Sequence, residues 1–306
     1  MRFNQHKRLK CSAPAKRVDR RNFRRIGRIS FRPTIATFLV ISFFILPAQS
    51  YAWGTNADRL VVNSAIGTLP DELRPFFEAR RQFLQQHIAD PDEAAAKFPT
   101  GRENLFIRLD HYGQFPFSSL PRIYKDALRK FGKRPLDSNG LLPWEIGVYS
   151  EKLTDALHSG NWSEAQLDAA MLASYVVAAH DPFRTTVNFD GHLSGQIGVE
   201  GRFGNQLVNR YSQFFYLHPN AAVFISDPTD HAFEMCYTSH SWLENVLLAD
   251  SRSREGLQDY NDEFYDRFYG QVGAVLVRQI SDAATDVGSY WLTAWENAGR
   301  PPLPAQ

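Results

Sequence analysis

Ser163-Glu164-Ala165-Gln166-Leu167-Asp168-Ala169-Ala170-Met171-Leu172-Ala173-Ser174-Tyr175-Val176-Val177-Ala178-Ala179 is rich in alanine, contains neither proline nor glycine, and stops shortly before Pro182. It predicts a long, largely buried helix with Ser163 as its cap. Working outward, apolar residues recur at spacings of three and four over 56–69, 71–88, 122–131, 143–157, 230–248 and 260–282, the period of further helices packed on one core. No stretch alternates for long enough to suggest a sheet. Residues 89–120, 132–142, 183–206 and 217–229 are rich in Gly, Pro, Asn and Asp and read as loops. With no repeat, low-complexity tract or dividing linker, the expectation is a single compact multi-helix domain, all-α, over 53–306.

The segment ahead of it has a different character. Residues 1–33 carry twelve Lys/Arg against one acid, Asp19, and an apolar run over 35–46 precedes Pro47 and the small residues Ser50 and Ala52. That order is a signal peptide over 1–52, cleaved before Trp53. The apolar run is too short for the roughly 20 residues that span a bilayer, which argues against an uncleaved anchor and for no transmembrane anchor after cleavage. Arg20-Arg21-Asn22-Phe23-Arg24 resembles a twin-arginine export motif, although an Arg-rich leader contains such pairs by chance. The expected location is periplasmic or extracellular.

Cleavage changes the charge balance. The leader takes twelve of 34 basic and one of 33 acidic residues, so a chain formally at +1 becomes one at −10, with 22 basic and 32 acidic residues. Such a domain has no general attraction for phosphate backbones, and non-specific nucleic-acid binding is not expected. Cys11 leaves with the leader, so Cys236 stands alone and no internal disulfide supports the fold. Cys236 reads as a small buried hydrophobe rather than a nucleophile.

Several motifs occur in order: Trp53-Gly54, Ile88-Ala89-Asp90-Pro91-Asp92, Asp110-His111-Tyr112, Gly140-Leu141-Leu142-Pro143-Trp144, Ser174 through Gly191, Gly198-Val199-Glu200-Gly201-Arg202-Phe203, and a tail from Tyr290 to Pro304. Together they resemble the zinc-dependent phospholipase C and fungal single-strand nuclease family across the whole mature domain. The resemblance implies an all-helical fold holding three zinc ions in a cleft, with the amine and carbonyl of the N-terminal Trp53 on one zinc. Metal-activated water would then attack a phosphodiester.

The ligand positions implied by that resemblance are mostly altered. Trp53, Asp90 and His111 match, while Asp58, Ser174, Ala178, Arg184, Glu200 and Gly204 stand where the family carries His, Asp or Glu, so six of nine differ. Alanine and glycine side chains donate nothing to a metal, and an arginine has no lone pair to give. A full zinc cluster is therefore not expected; a single zinc or another divalent cation would have to use Trp53, Asp90 and His111. The expectation is that Arg184 and Glu200 meet across the vacated site as an ion pair, surrounded by Asp58, Asp90 and Trp53, either plugging the cavity or leaving a polar pocket.

Three functional readings follow. The first is an exported, non-catalytic relative binding a ligand or protein partner in the old cleft. The second is a phosphodiester or phospholipid hydrolase with a reduced site and Asp90 as candidate base. The third is a hard-ion site such as calcium on Asp58, Asp90 and Glu200. His180 reads as a surface or loop-capping residue, Asp230, His231, Glu234 and His240 as a solvated helix face, and Phe214, Phe215 and Tyr216 as core.

Overall fold

Helix α8 (Trp162–Ala179) starts two residues earlier than the sequence suggests. Its cap is Asn161, whose side chain accepts the Glu164 N–H at 3.4 Å, so Ser163 is already helical. The helix ends where His180 closes the last turn ahead of Pro182. Its alanines 165, 169, 170, 173, 178 and 179 are all buried. Side chains this small let neighbouring helices approach closely.

The computed structural model describes residues 53–304, which fold as one compact, all-helical unit. The leader over 1–52 and its cleavage site lie outside the described residues, as does Cys11. In chain order the other helices are α1 (Gly54–Thr68), α2 (Arg74–Ala79), α3 (Arg81–His87), α4 (Asp90–Lys97), α5 (Tyr124–Phe131), α6 (Lys133–Asn139), α7 (Leu142–His158), α9 (Val199–Gly201), α10 (Leu207–Tyr211), α11 (Pro228–His240), α12 (Leu243–Arg254) and α13 (Asp262–Asn297). Short 3-10 turns cover Arg102–Leu105, Leu109–Tyr112 and Pro182–Thr185, and a π turn covers Arg202–Gln206. Among the described residues there is no strand, and no helix is long and apolar enough to cross a membrane.

The spine is α13. It is 36 residues long, about 54 Å at 1.5 Å per residue, and packs against α1, α7, α8 and α12. Trp291 on this helix stacks on Phe77 (4.4 Å between centroids) and donates its indole N–H to the Ala169 carbonyl of α8 at 3.1 Å. Helices α7 and α8 run as an antiparallel pair beside it, with α11 laid across α7.

Differences from the sequence reading have local causes. The periodic stretch 71–88 is broken at Arg80, which leaves helical geometry while its guanidinium folds back over the Phe76 ring at 3.7 Å. The stretch 230–248 is likewise two helices, α11 and α12. The helix expected over 260–282 instead runs to Asn297, because Ser281, Thr285, Ser289 and Thr293 mask its apolar pattern with hydroxyls. Those hydroxyls accept the backbone N–H groups of His218, Asn220, Val223 and Ile225 at 2.8–3.1 Å. A four-residue ladder on one helix face thus satisfies an extended strap that a sheet would otherwise have had to pair. Phe214 and Tyr216, just before the strap, are exposed rather than core, while Phe215 stacks on Tyr269. Cys236 is fully buried and free, and burial pushes its thiol up.

Candidate functional site

The turn after α8 sets the site. Asp181 caps the Pro182–Thr185 turn by accepting the Phe183 N–H at 2.9 Å, and the Arg184 carbonyl accepts the Ile107 N–H at 2.8 Å. Asp110 then holds the following residues, accepting from Thr186 Oγ1 (2.6 Å) and the Val187 N–H (2.8 Å). With its backbone fixed on both sides, Arg184 points into a polar centre. Its Nη2 donates to Asp92 Oδ1 at 2.9 Å and its Nε lies 3.1 Å from Glu200 Oε1.

Four carboxyl groups interact with this guanidinium: Asp58 from α1, Asp92 from α4, Asp181 and Glu200. Burial works against the charge on Arg184, yet Asp92, Glu200 and Asp181 together hold its pKa above the ordinary value. The carboxyls do not all share that benefit. Burial first, and then Asp92, push Asp58 up to about 7, with Arg184 opposing. Burial and then Glu200 drive Asp181 well above the carboxylate range. Burial thus raises Asp58 and Asp181 against the pull of the neighbouring Arg184 cation.

Glu200 sits on α9, entered through Gly198 in the left-handed region (φ 88°), and its N–H donates to Asp190 Oδ1 at 3.2 Å. Gly54 brings the start of α1 against the neighbouring π turn. At φ 76° it is left-handed, and a Cβ there would lie 2.6 Å from Asn205 Nδ2, so only glycine fits. Trp53 beside it is buried, and among the described residues its indole N–H has no hydrogen-bond partner.

Of the residues singled out from sequence, Asp58, Arg184 and Glu200 come together. Ser174 and Ala178 are buried four residues apart on α8, and Gly204 is buried in the π turn. Asp90 is a correction to the expected surroundings of the pair. It is half-exposed and bonded to His87 at 2.7 Å, while Asp92, two residues on, takes Arg184. His111 is exposed and packs edge-on against Tyr112. Its neighbour Asp110 faces inward, and successive residues of a 3-10 turn point about 120° apart. Sequence reasoning missed Asp92 and Asp181, although Asp92 lies inside the same Asp-Pro-Asp motif and Asp181-Pro182 has the form of a cap.

The other histidine readings also change. His180 is buried, not on the surface, with Nε2 2.9 Å from Asp286 Oδ2, and His231 Nε2 lies 2.9 Å from the other oxygen. Burial opposes ionisation of Asp286, but the two imidazoles overcome it and lower the carboxyl to about 2. Asp230 and Glu234 both grip Arg122. His240 is half-buried against Thr185, with Nδ1 3.1 Å from its hydroxyl. The apparent cluster on α11 is therefore divided among three partners.

A cleft of about 570 Å³ opens beside Arg184 and Glu200, walled by Phe183, Phe189, Arg102 and Arg108. Arg108 lies over the Phe106 and Phe189 rings, at 4.9 and 5.2 Å. Burial, and then the neighbouring Arg102, lower its pKa.

The donor set does not suit a three-metal cluster. The Arg184 guanidinium occupies the ground between Asp92 and Glu200, and among the described residues no three His, Cys, Asp or Glu side chains form a metal-binding group. What fold and site define is an all-α protein with an arginine set among carboxyl groups at the base of a polar cleft. No protein-family model and no curated protein matches the chain.

Proposed function

We propose that this chain is an exported relative of the phospholipase C and single-strand nuclease family that has exchanged its metal centre for a protein cation. It binds a small polar ligand or a partner's polar side chain in the cleft beside Arg184 rather than hydrolysing phosphodiesters. The observation that carries this reading is the placement of Arg184 between Asp92 and Glu200, at 2.9 and 3.1 Å. A guanidinium there supplies the positive charge that a metal would supply, but it cannot activate a water as a Lewis acid. The cleft of about 570 Å³ lies within the size range of small-molecule sites.

Metal analysis of the purified protein, together with phosphodiester and phospholipid turnover assays, tests this directly. The expected result is less than stoichiometric zinc and no turnover above background. Stoichiometric zinc with turnover lost in Asp90→Asn would instead establish the reduced-site hydrolase, and stoichiometric calcium would establish the hard-ion reading. N-terminal sequencing of the exported protein should begin at Trp53.

A further inference from the structure

A second cavity, of about 480 Å³, lies between α7 and α8 and is independent of the Arg184 group. Its walls follow from helix geometry. Tyr149, Lys152, Asp155 and Ala156 recur at three- and four-residue steps on α7, and Glu164, Leu167, Asp168 and Met171 do so on α8. Two antiparallel helices turning these stripes the same way make a groove with a floor of small and apolar side chains and acidic rims.

Asp168 is the anomaly. It is only 4% exposed and lines the groove, yet among the described residues its carboxylate makes neither a hydrogen bond nor an ion pair. Burial, then Glu164, push its carboxyl up to about 6, with Lys152 opposing. A buried acid without a partner costs stability, and the cavity in front of it is where a partner would fit. Lys152, also on the wall, turns its Nζ to the Tyr149 ring, 3.9 Å from the centroid, rather than pairing with Asp168.

We infer that this groove binds an aliphatic diamine, with one ammonium on Asp168, the methylenes along Leu167, and the second ammonium on the Asp155–Glu164 rim. A single metal ion is the poorer guest, because among the described residues these carboxylates do not form a metal-binding group. An extended dication matches separated acids joined by an apolar floor. The net charge of −10 over 53–306 draws such a ligand in.

The test is calorimetric titration of the full chain with cadaverine, pentylamine and pentanediol at constant ionic strength. Cadaverine should bind at millimolar concentration or below, pentylamine about tenfold more weakly, and pentanediol not at all. Asp168→Asn should weaken cadaverine about tenfold or more. Glu164→Gln, on the exposed rim, should weaken it about threefold without altering the melting temperature. Absence of cadaverine binding, equal binding by Asp168→Asn, or displacement of cadaverine by equimolar magnesium at fixed ionic strength would overturn the inference.

Discussion

Arg184 and Arg202 are both largely enclosed, and they are held in opposite ways. Arg202 meets one carboxylate, Asp250, at 2.7 and 3.1 Å, gives two more N–H groups to the carbonyls of Gln196 and Ile197, and is covered by the Tyr260 ring at 4.0 Å. Here one cation meets one anion. Arg184 instead stands among Asp58, Asp92, Asp181 and Glu200, an excess of acid over base, beside an open cleft. The first arrangement fixes a turn to a helix; the second places protonatable acids around a guanidinium that lines the cleft.

The sharpest way to break this contrast is to delete each cation. Arg202→Met should cost about 3–5 kcal/mol in denaturant unfolding, since it strands a buried carboxylate and two carbonyls. Arg184→Met should cost somewhat less, about 2–4 kcal/mol near pH 8, because several acids can take up protons in response. Its cost should fall more steeply than that of Arg202→Met as the pH drops to 5. Equal pH slopes for the two variants would show that Arg184 is another matched structural pair.

The next effect is the pH dependence of the wild-type protein. The folded-state pKa of Asp58, about 7, lies above its unfolded value near 3.8. The folded state therefore binds the proton more tightly, and the stability contributed by the protonated form is lost as pH rises from about 4 through 7. Asp181 adds a change of the same sign. Asp58→Asn should be more stable than wild type by roughly 1–3 kcal/mol at pH 8 and nearly equal to it at pH 4. Thermal melts at both pH values measure this, and a wild-type curve flat over that interval would contradict it.

The all-α class was legible because α1, α7 and α8 each carry an unbroken period of three and four. Less was legible wherever polar groups served the fold. Helix α4 hid behind Asp90-Pro91, which reads as a loop, although proline in the first turn with acids beside it is a helix start. The upper half of α13 hid behind its hydroxyl ladder, whose purpose appears only once the strap over 218–225 is seen against it. At the site, aligned motifs were enough to bring Arg184 to Glu200. They could not show that Asp181 joins the group, nor that His180 is claimed by Asp286, 106 residues away. Such partners depend on helix packing and leave no spacing in the chain to read.

The smallest effect separates Asp90 from Asp92. The two differ by two residues on one short helix, a rotation of about 200°, so they face different surroundings. Asp92 is mostly buried on Arg184, whereas the Asp90 side chain is 43% exposed and its partner His87 is 35% exposed. Asp90→Asn should change stability by no more than about 0.5 kcal/mol, the scale of an exposed pair. Asp92→Asn should cost about 1–3 kcal/mol by weakening a charge-assisted bond to a buried guanidinium. If the two variants proved equal, or Asp90→Asn the more damaging, the acid excess around Arg184 would have to be redrawn through Asp90. The contrast with Arg202 would then rest on Asp58, Asp181 and Glu200 alone.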